Sequence, residues 1–220
     1  MCRFHRQSWG LLLAVAILLG SAVAGLGQET WLTSPSATVQ NLWGVAHGNG
    51  IFVAVGEGGA VVRSSDGVAW VSQTLPGGRW LVGVGFGNGM FVVVGESGAI
   101  FTSADGVRWT ARTSGTTGRI NGVAYGGGRW LAVAETGEVL ASADATTWRR
   151  LQPSPDRLRG VIFAYGQFVV TGDNGLVRTT VDDFTFEEKA LPDALFVESV
   201  ANARRQFLAV GEAGYAIASA

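Results

Sequence analysis

Acidic residues recur along this sequence at nearly constant spacing, and carboxylates serve both general acid–base catalysis and the binding of hard cations. One series comprises Glu57, Glu96, Glu135, Asp173 and Glu212, and a second comprises Asp66, Asp105, Asp144 and Asp182. Two opposed carboxylates could hydrolyse a glycosidic bond, and a ring of carboxylates could hold a cation. Catalysis needs one asymmetric set of groups, whereas these residues return in every repeat. The spacing therefore favours structural roles in turns, with a cation on the first series as the alternative.

The spacing of these acids reflects a sequence repeat that runs through the whole chain. An aromatic residue returns once in each repeat, at Trp31, Trp70, Trp109, Trp148 and Phe186. A hydroxyl residue returns on the same period at Ser64, Ser103, Ser142, Thr180 and Ser219. Self-similarity at a period of about 39 residues indicates a propeller or a solenoid.

Each repeat contains four short segments with the composition of β-strands. In the first repeat these are residues 42–47, 51–55, 60–64 and 70–74, separated by turns rich in glycine, asparagine and aspartate. The second segment is continuously apolar, which is typical of a strand buried on both faces. A small residue near the start of each first segment suits a strand close to a central axis. The pattern predicts an all-β, five-bladed β-propeller of four-stranded antiparallel blades.

The turn before each fourth strand combines a hydroxyl residue, an aspartate and an aromatic residue. Its copies are Ser64, Asp66 and Trp70; Ser103, Asp105 and Trp109; Ser142, Asp144 and Trp148; and Thr180, Asp182 and Phe186. This signature resembles the Asp-box, or BNR-type, repeat of sialidase-like and photosystem assembly-factor-like β-propellers. The resemblance implies the fold and structural roles for these residues, but no single activity, because such propellers include hydrolases, assembly factors and binding modules.

The sequence resembles sialidases in its repeated turns but not in their catalytic motifs. No Arg-Ile-Pro sequence occurs, and Tyr125, Tyr165 and Tyr215 have no evident glutamate partner in the sequence. We therefore predict a non-catalytic binding or scaffolding protein without a cofactor or metal site. A glycoside hydrolase of the sialidase type is one alternative, and an assembly factor that docks on a membrane protein is another.

The N-terminus has the composition of a secretory signal peptide. Arg3 and Arg6 precede a short apolar run, which is followed by Ala22-Val23-Ala24. We expect a signal peptide over residues 1–24, a single propeller domain over residues 25–220, and a secreted or periplasmic protein. Residues 25–220 carry 14 basic and 17 acidic residues, a net charge of −3, which argues against a nucleic-acid partner. We expect a monomer that is not inserted in a membrane.

The connections between blades differ from one repeat to the next, and such variable loops on a rigid scaffold are where binding sites form. They carry Trp43, Trp80, Arg119, Asn121, Arg157, Arg159 and Glu198. The tryptophans could stack on a sugar or grip a peptide, while the charged groups orient it. Alternatively, the tryptophans fill the interfaces between blades and the arginines are solvated. We predict a glycan or protein ligand on this face.

The first aromatic residue of the series, Trp31, precedes the first set of four strand segments, which suggests how the ring closes. The interval from Trp31 to Gly44 equals the interval from Trp109 to Gly122. We therefore expect residues 29–36, around Trp31, to supply a fourth strand to the last three strands of the sequence. The resulting composite blade would close the ring and remove its open edges.

Overall fold

The computed structural model describes residues 33–151, 153–181, 185–190 and 196–219, which form five antiparallel sheets. Sheet one contains β1 (Leu42–Gly48), β2 (Ile51–Gly56), β3 (Ala60–Ser64) and β4 (Val71–Thr74). Sheet two contains β5 (Leu81–Gly87), β6 (Met90–Gly95), β7 (Ile100–Ser103) and β8 (Thr110–Arg112). Sheet three contains β9 (Ile120–Gly126), β10 (Arg129–Ala134), β11 (Val139–Ser142) and β12 (Arg149–Arg150).

The remaining two sheets come from the C-terminal part of the chain. Sheet four contains β13 (Leu158–Ala164), β14 (Gln167–Gly172), β15 (Leu176–Thr180) and β16 (Glu187–Ala190). Sheet five contains β17 (Val197–Ala203), β18 (Gln206–Gly211) and β19 (Ala216–Ala218). Three short 3-10 turns lie at Glu57–Gly59, Glu96–Gly98 and Glu212–Gly214. No helix within the described ranges is long and apolar enough to cross a membrane.

Strands follow one another in sequence order within every sheet, so each sheet is a meander, as predicted. The first strands of successive sheets, β1, β5, β9, β13 and β17, are neighbours in space. A β-carbon on Gly44 would lie 3.4 Å from the α-carbon of Gly83, and one on Gly83 would lie 3.7 Å from that of Gly122. Small residues are therefore needed here because the backbones of neighbouring sheets approach closely.

In sheets one to four the second strands form the core, which confirms for these sheets the prediction that they are buried on both faces; β18 of sheet five departs from it. In β6, Val92, Val93 and Val94 are all fully buried. Val92 and Val94 pack against sheet three, whereas Val93 packs against sheet one. The hydrophobic core is therefore a series of clusters between successive sheets, and sheets two, three and four each contribute to a cluster on both of their faces.

Sheet five differs from the other four because only three strands belong to it within the described residues. The predicted fourth strand centres on Trp31, which lies outside the described residues, as does the predicted signal peptide, and residues 33–36 are not in a strand. Leu208 and Val210 remain 50% and 45% exposed, although their counterparts in β6 are buried. The described residues thus contain five sheets but do not confirm the predicted closure of the ring.

Candidate functional site

Six of the seven predicted ligand residues line one cavity of about 290 Å³, which we call the axial mouth. Its walls are Trp43, Trp80, Val82, Arg119, Asn121, Arg159 and Glu198. Each lies in a first strand or just before one, so all five sheets contribute to the mouth. Arg157 is the predicted residue that is absent from this lining. Its backbone carbonyl instead accepts a hydrogen bond from Asp173 N at 2.9 Å.

Two indole rings form the apolar part of the mouth. The rings of Trp43 and Trp80 are stacked, with centroids 6.4 Å apart and planes inclined by 27°. The two residues remain 53% and 44% exposed. Large side chains that stay half exposed on rigid elements are suited to contact a ligand. The two rings belong to neighbouring sheets, so they contact each other across the boundary between sheets one and two while both remain about half exposed.

Arg159 and Glu198 form the charged side of the mouth. The Arg159 guanidinium donates to Asp173 and to Glu198, and it also lies over the Phe196 ring, 4.7 Å from its centroid. Burial alone would lower the pKa of Arg159, but the two carboxylates outweigh this effect and raise it. The Arg159 side chain is therefore held in place by these contacts, and its positive charge is balanced by two carboxylates of the protein.

Arg119 is much less neutralised than Arg159. Its Nε donates to Asn121 Oδ1 at 2.8 Å, and the Nε lies 3.9 Å from Glu135 Oε2. Asn121 is itself held by a 2.6 Å hydrogen bond from its Nδ2 to Leu158 O. The Arg119 side chain is 42% exposed. Because its only ion pair in the described structure is this long one, the Arg119 guanidinium is the cation best placed to meet an acidic or carbonyl group of a ligand.

A second cavity adjoins the axial mouth. It also has a volume of about 290 Å³ and is lined by residues of the first strand of every sheet. Asn121, Arg159 and Glu198 line both cavities. These three polar side chains therefore lie where the two cavities meet.

Members of the first acidic series accept hydrogen bonds from backbone or side-chain groups next to this face. Glu96 Oε2 accepts from Trp80 N at 3.0 Å, and Glu135 Oε1 accepts from Arg119 N at 3.1 Å. The Glu57 carboxylate instead accepts from the side-chain amide of Asn41 at 3.0 Å. These acids fix the loops that carry the mouth residues. No group of three or more His, Cys, Asp or Glu residues that could hold a metal ion occurs in the described part of the chain.

The second acidic series lies in the turns at the opposite ends of the strands. Asp105 Oδ1 accepts from the backbone N–H groups of Arg108 and Val107 at 2.8 and 2.9 Å, and from Ser103 Oγ at 3.0 Å. These hydrogen bonds, led by the Arg108 N–H, hold the pKa of Asp105 well below its usual range. Asp66 and Asp144 accept equivalent hydrogen bonds. These carboxylates therefore organise their own turns.

Three of the aromatic residues of the same turns pack between sheets. Trp148 is 9% exposed and belongs to the core cluster between sheets two and three. Trp109 packs between sheets one and two, and Phe186 packs between sheets three and four. In the fourth turn, Asp182 lies outside the described residues.

Sequence reasoning missed a second, larger cavity, which we call the lateral cavity. It has a volume of about 1100 Å³ and lies between sheets four and five. Val169, Val177, Phe207, Ala209 and Ile217 supply its apolar walls.

Comparison with known proteins identifies the fold but no family. No protein-family description matches the sequence, and no curated protein gives a significant match. Among solved structures, YCF48 bound to D1 peptide superposes with a TM-score of 0.67 at 14% identity, covering 86% of this chain and 67% of that one. The WD40 β-propeller domain of Doa1 gives 0.63 at 14% identity, covering 82% and 65%. The computationally designed Ika8 protein gives 0.63 at 13% identity, covering 80% and 57%. The chain therefore has a β-propeller fold, and it spans about two thirds or less of these structures.

Proposed function

We propose that this protein is a non-catalytic binding propeller that holds a segment of a partner polypeptide at its axial mouth. The observation that carries the proposal is the convergence of six variable residues, spread from Trp43 to Glu198 in sequence, on one cavity. The repeated residues of the fold serve turns and packing, whereas these six differ from one repeat to the next. Variation concentrated on one rigid surface is what a binding site requires.

The mouth offers two kinds of contact that suit a peptide. Trp43 and Trp80 present an apolar stacked surface, and tryptophan is enriched among the residues that dominate binding energy. Arg119 can donate to backbone carbonyls or to an acidic side chain of the peptide. The propeller YCF48 was solved with a peptide bound to it. This shared fold is the precedent for proposing a peptide as the ligand.

The charge arrangement supports binding without catalysis. Glu198 is the single carboxylate among the described residues that line the mouth, and it accepts a hydrogen bond from Arg159. A glycoside hydrolase of the usual kind needs two carboxyl groups on opposite sides of the scissile bond. Glu198 alone, engaged in an ion pair, cannot provide the acid and the base or nucleophile together.

A glycan is the second candidate ligand, and the exposed indole pair is the observation that favours it. The apolar face of a sugar ring can pack flat on an indole such as Trp43 or Trp80. A peptide remains the first candidate because Arg119 and Asn121 extend the polar contacts along the mouth. A peptide display screen run beside a glycan array distinguishes the two.

The sequence also supports a proposal for the location and oligomeric state of the protein. We propose that residues 1–24 direct export and are removed, and that residues 25–220 act as a monomer in a secreted or periplasmic location. We also propose that the repeated turns are of the Asp-box type. We further propose that the N-terminal segment closes the ring. The N-terminal residue of the protein recovered after expression, determined by mass spectrometry, tests the export proposal. An intact residue 1 on an intracellular product contradicts it.

The binding proposal is tested by selecting peptides from a random displayed library and measuring their affinity by calorimetry. Trp43→Ala and Trp80→Ala should each weaken a selected peptide about 30-fold, since losing a central tryptophan costs about 2 kcal/mol. Arg119→Gln should weaken binding mainly at low salt. Tyr165→Ala is the matched control, because Tyr165 is 48% exposed but lies outside the mouth. Equal binding by all four variants would refute the mouth as the site.

A further inference from the structure

Glu198 gives the axial mouth an acceptor that the protein does not use up. It is the single carboxylate among the described residues that line the mouth or the cavity that adjoins it. Its Oε1 accepts a hydrogen bond from Arg159, and the side chain remains 53% exposed. Because an ionised carboxylate has about four lone-pair sites, Glu198 keeps the capacity to accept from a ligand.

The ion pairs around Arg159 leave one negative charge uncompensated. The guanidinium donates to Asp173 and to Glu198, so a single cation faces two carboxylates, and the group has a formal charge of −1. The Asp173 side chain is 15% exposed, whereas that of Glu198 is more than half exposed. The part of this charge that a ligand can reach therefore lies at Glu198.

Two further carboxylates lie directly behind the mouth. Glu96 accepts from the backbone N–H of Trp80, and Glu135 accepts from that of Arg119. With the two carboxylates on Arg159, four carboxylates face two arginines among the described residues that line the mouth or bond to its lining, a formal charge of −2. A surface with this charge attracts cationic groups and repels anionic ones.

The indole pair is suited to the same kind of group. A lysine ammonium or an arginine guanidinium is attracted to the face of a tryptophan ring. The aliphatic stem of either side chain packs on apolar surface while its charged end stays in a polar environment. The half-exposed rings of Trp43 and Trp80 supply that surface in the same cavity as Glu198.

We propose that the polypeptide held at the axial mouth presents a basic side chain, which lies against Trp43 and Trp80 and pairs with Glu198. This inference rests on the proposed function, because it names the chemistry of the ligand at the same site. Arg119 then donates to a backbone carbonyl of the bound segment. The competing ligand is a segment with an acidic side chain, which Arg119 would attract.

The first test uses peptides selected from the random displayed library. We expect these peptides to share a lysine or an arginine at one position. Replacing that lysine by norleucine, or that arginine by citrulline, removes the charge and keeps the length of the side chain. The replacement should weaken binding about tenfold at low salt and less at high salt, because it removes a charge-assisted hydrogen bond. This measurement requires no change to the protein.

The second test combines the neutral peptide with a change at Glu198. Glu198→Gln should weaken the selected peptide about tenfold but should weaken the neutral peptide little further, because both changes remove the same interaction. The variant keeps the contacts of Arg159 with Asp173 and with the Phe196 ring. Calorimetric titration of both peptides into both proteins measures this coupling, and losses that simply add would overturn the inference.

Glu188→Gln is the matched control for the loss of charge. Glu188 is also paired with an arginine, Arg178, and its side chain is 57% exposed, close to the value for Glu198. It lies in β16 and outside the lining of the mouth, so Glu188→Gln should leave the affinity for the selected peptide unchanged. An equal loss for the two variants would overturn the pairing with Glu198.

The measurements separate this inference from the proposed function. Selected peptides that are weakened by Trp43→Ala but carry no basic residue, or carry a shared acidic one, would overturn the inference and leave the mouth as the binding site. Selected peptides that bind the parent protein and Trp43→Ala equally well would instead overturn the proposed function, and the inference with it.

Discussion

Thr171 provides the sharpest test of how the core of this propeller is built. It is fully buried in β14, and its Oγ1 has no hydrogen-bond partner within the described structure. The same register position is valine in the first three sheets, where Val55, Val94 and Val133 pair with the glycines of the first strands. An unpaired buried hydroxyl costs about 1–3 kcal/mol. Because valine has nearly the same shape, Thr171→Val should stabilise the protein by about 1.5 kcal/mol.

Thermal and urea unfolding followed by circular dichroism measure this effect directly. An increase of about 1.5 kcal/mol corresponds to a melting temperature about 3–6 °C higher for a domain of this size. The reciprocal change, Val94→Thr, places a hydroxyl in a fully buried position of the same kind and should lower the melting temperature by a similar amount. A lower melting temperature for Thr171→Val would refute the reasoning, since it would mean that the hydroxyl has a partner such as a bound water.

Three further predictions concern a turn carboxylate, two glycines and the free face of sheet five. The pKa of Asp105 is lower in the folded protein than in the unfolded chain, so its stabilisation is complete above about pH 5 and is lost as the pH falls. Asp105→Asn should therefore flatten the decline of the urea midpoint between about pH 5 and pH 2; an unchanged slope would contradict this. Gly98→Ala should cost at least twice as much stability as Gly115→Ala. Both residues have positive φ, but a β-carbon on Gly98 would lie 2.0 Å from a carbonyl oxygen, whereas one on Gly115 meets open space. Val94→Ser should cost about 3 kcal/mol and Val210→Ser less than about 1 kcal/mol, because only Val94 is buried; equal costs in urea unfolding would show that sheet five is covered on that face.

The fold was largely predictable because each repeat carries its own local instructions. Continuous valine runs such as residues 92–94 require burial on both faces, and glycine-rich turns set the length of each strand. The Asp105 carboxylate accepts its hydrogen bonds from groups of its own turn, so the structure of that turn follows largely from neighbouring residues. Local features of this kind are readable without knowledge of the tertiary structure.

The composition of the axial mouth was predictable in part, and its internal arrangement was not. The residues that vary between repeats were predicted to share one face, and six of the seven line one cavity, but Arg157 and Arg159 looked equivalent in sequence. The structure separates them: Arg159 lines the mouth, whereas Arg157 contributes a backbone carbonyl to a turn. It also distinguishes the neutralised Arg159 from the more available Arg119. These distinctions depend on side chains from different sheets, whose positions no single repeat determines.

The order of residues is enough to define the period, the strands, the structural turns and the face that carries variation, because these arise from contacts within one repeat of about 39 residues. The packing of the sheets, in contrast, brings Trp43 and Trp80 together, balances Arg159 with two carboxylates and opens the lateral cavity between sheets four and five. The physical reason is the range of the interactions. Strand and turn formation depend on residues of one repeat, whereas the axial mouth and the lateral cavity depend on how the five sheets pack against one another.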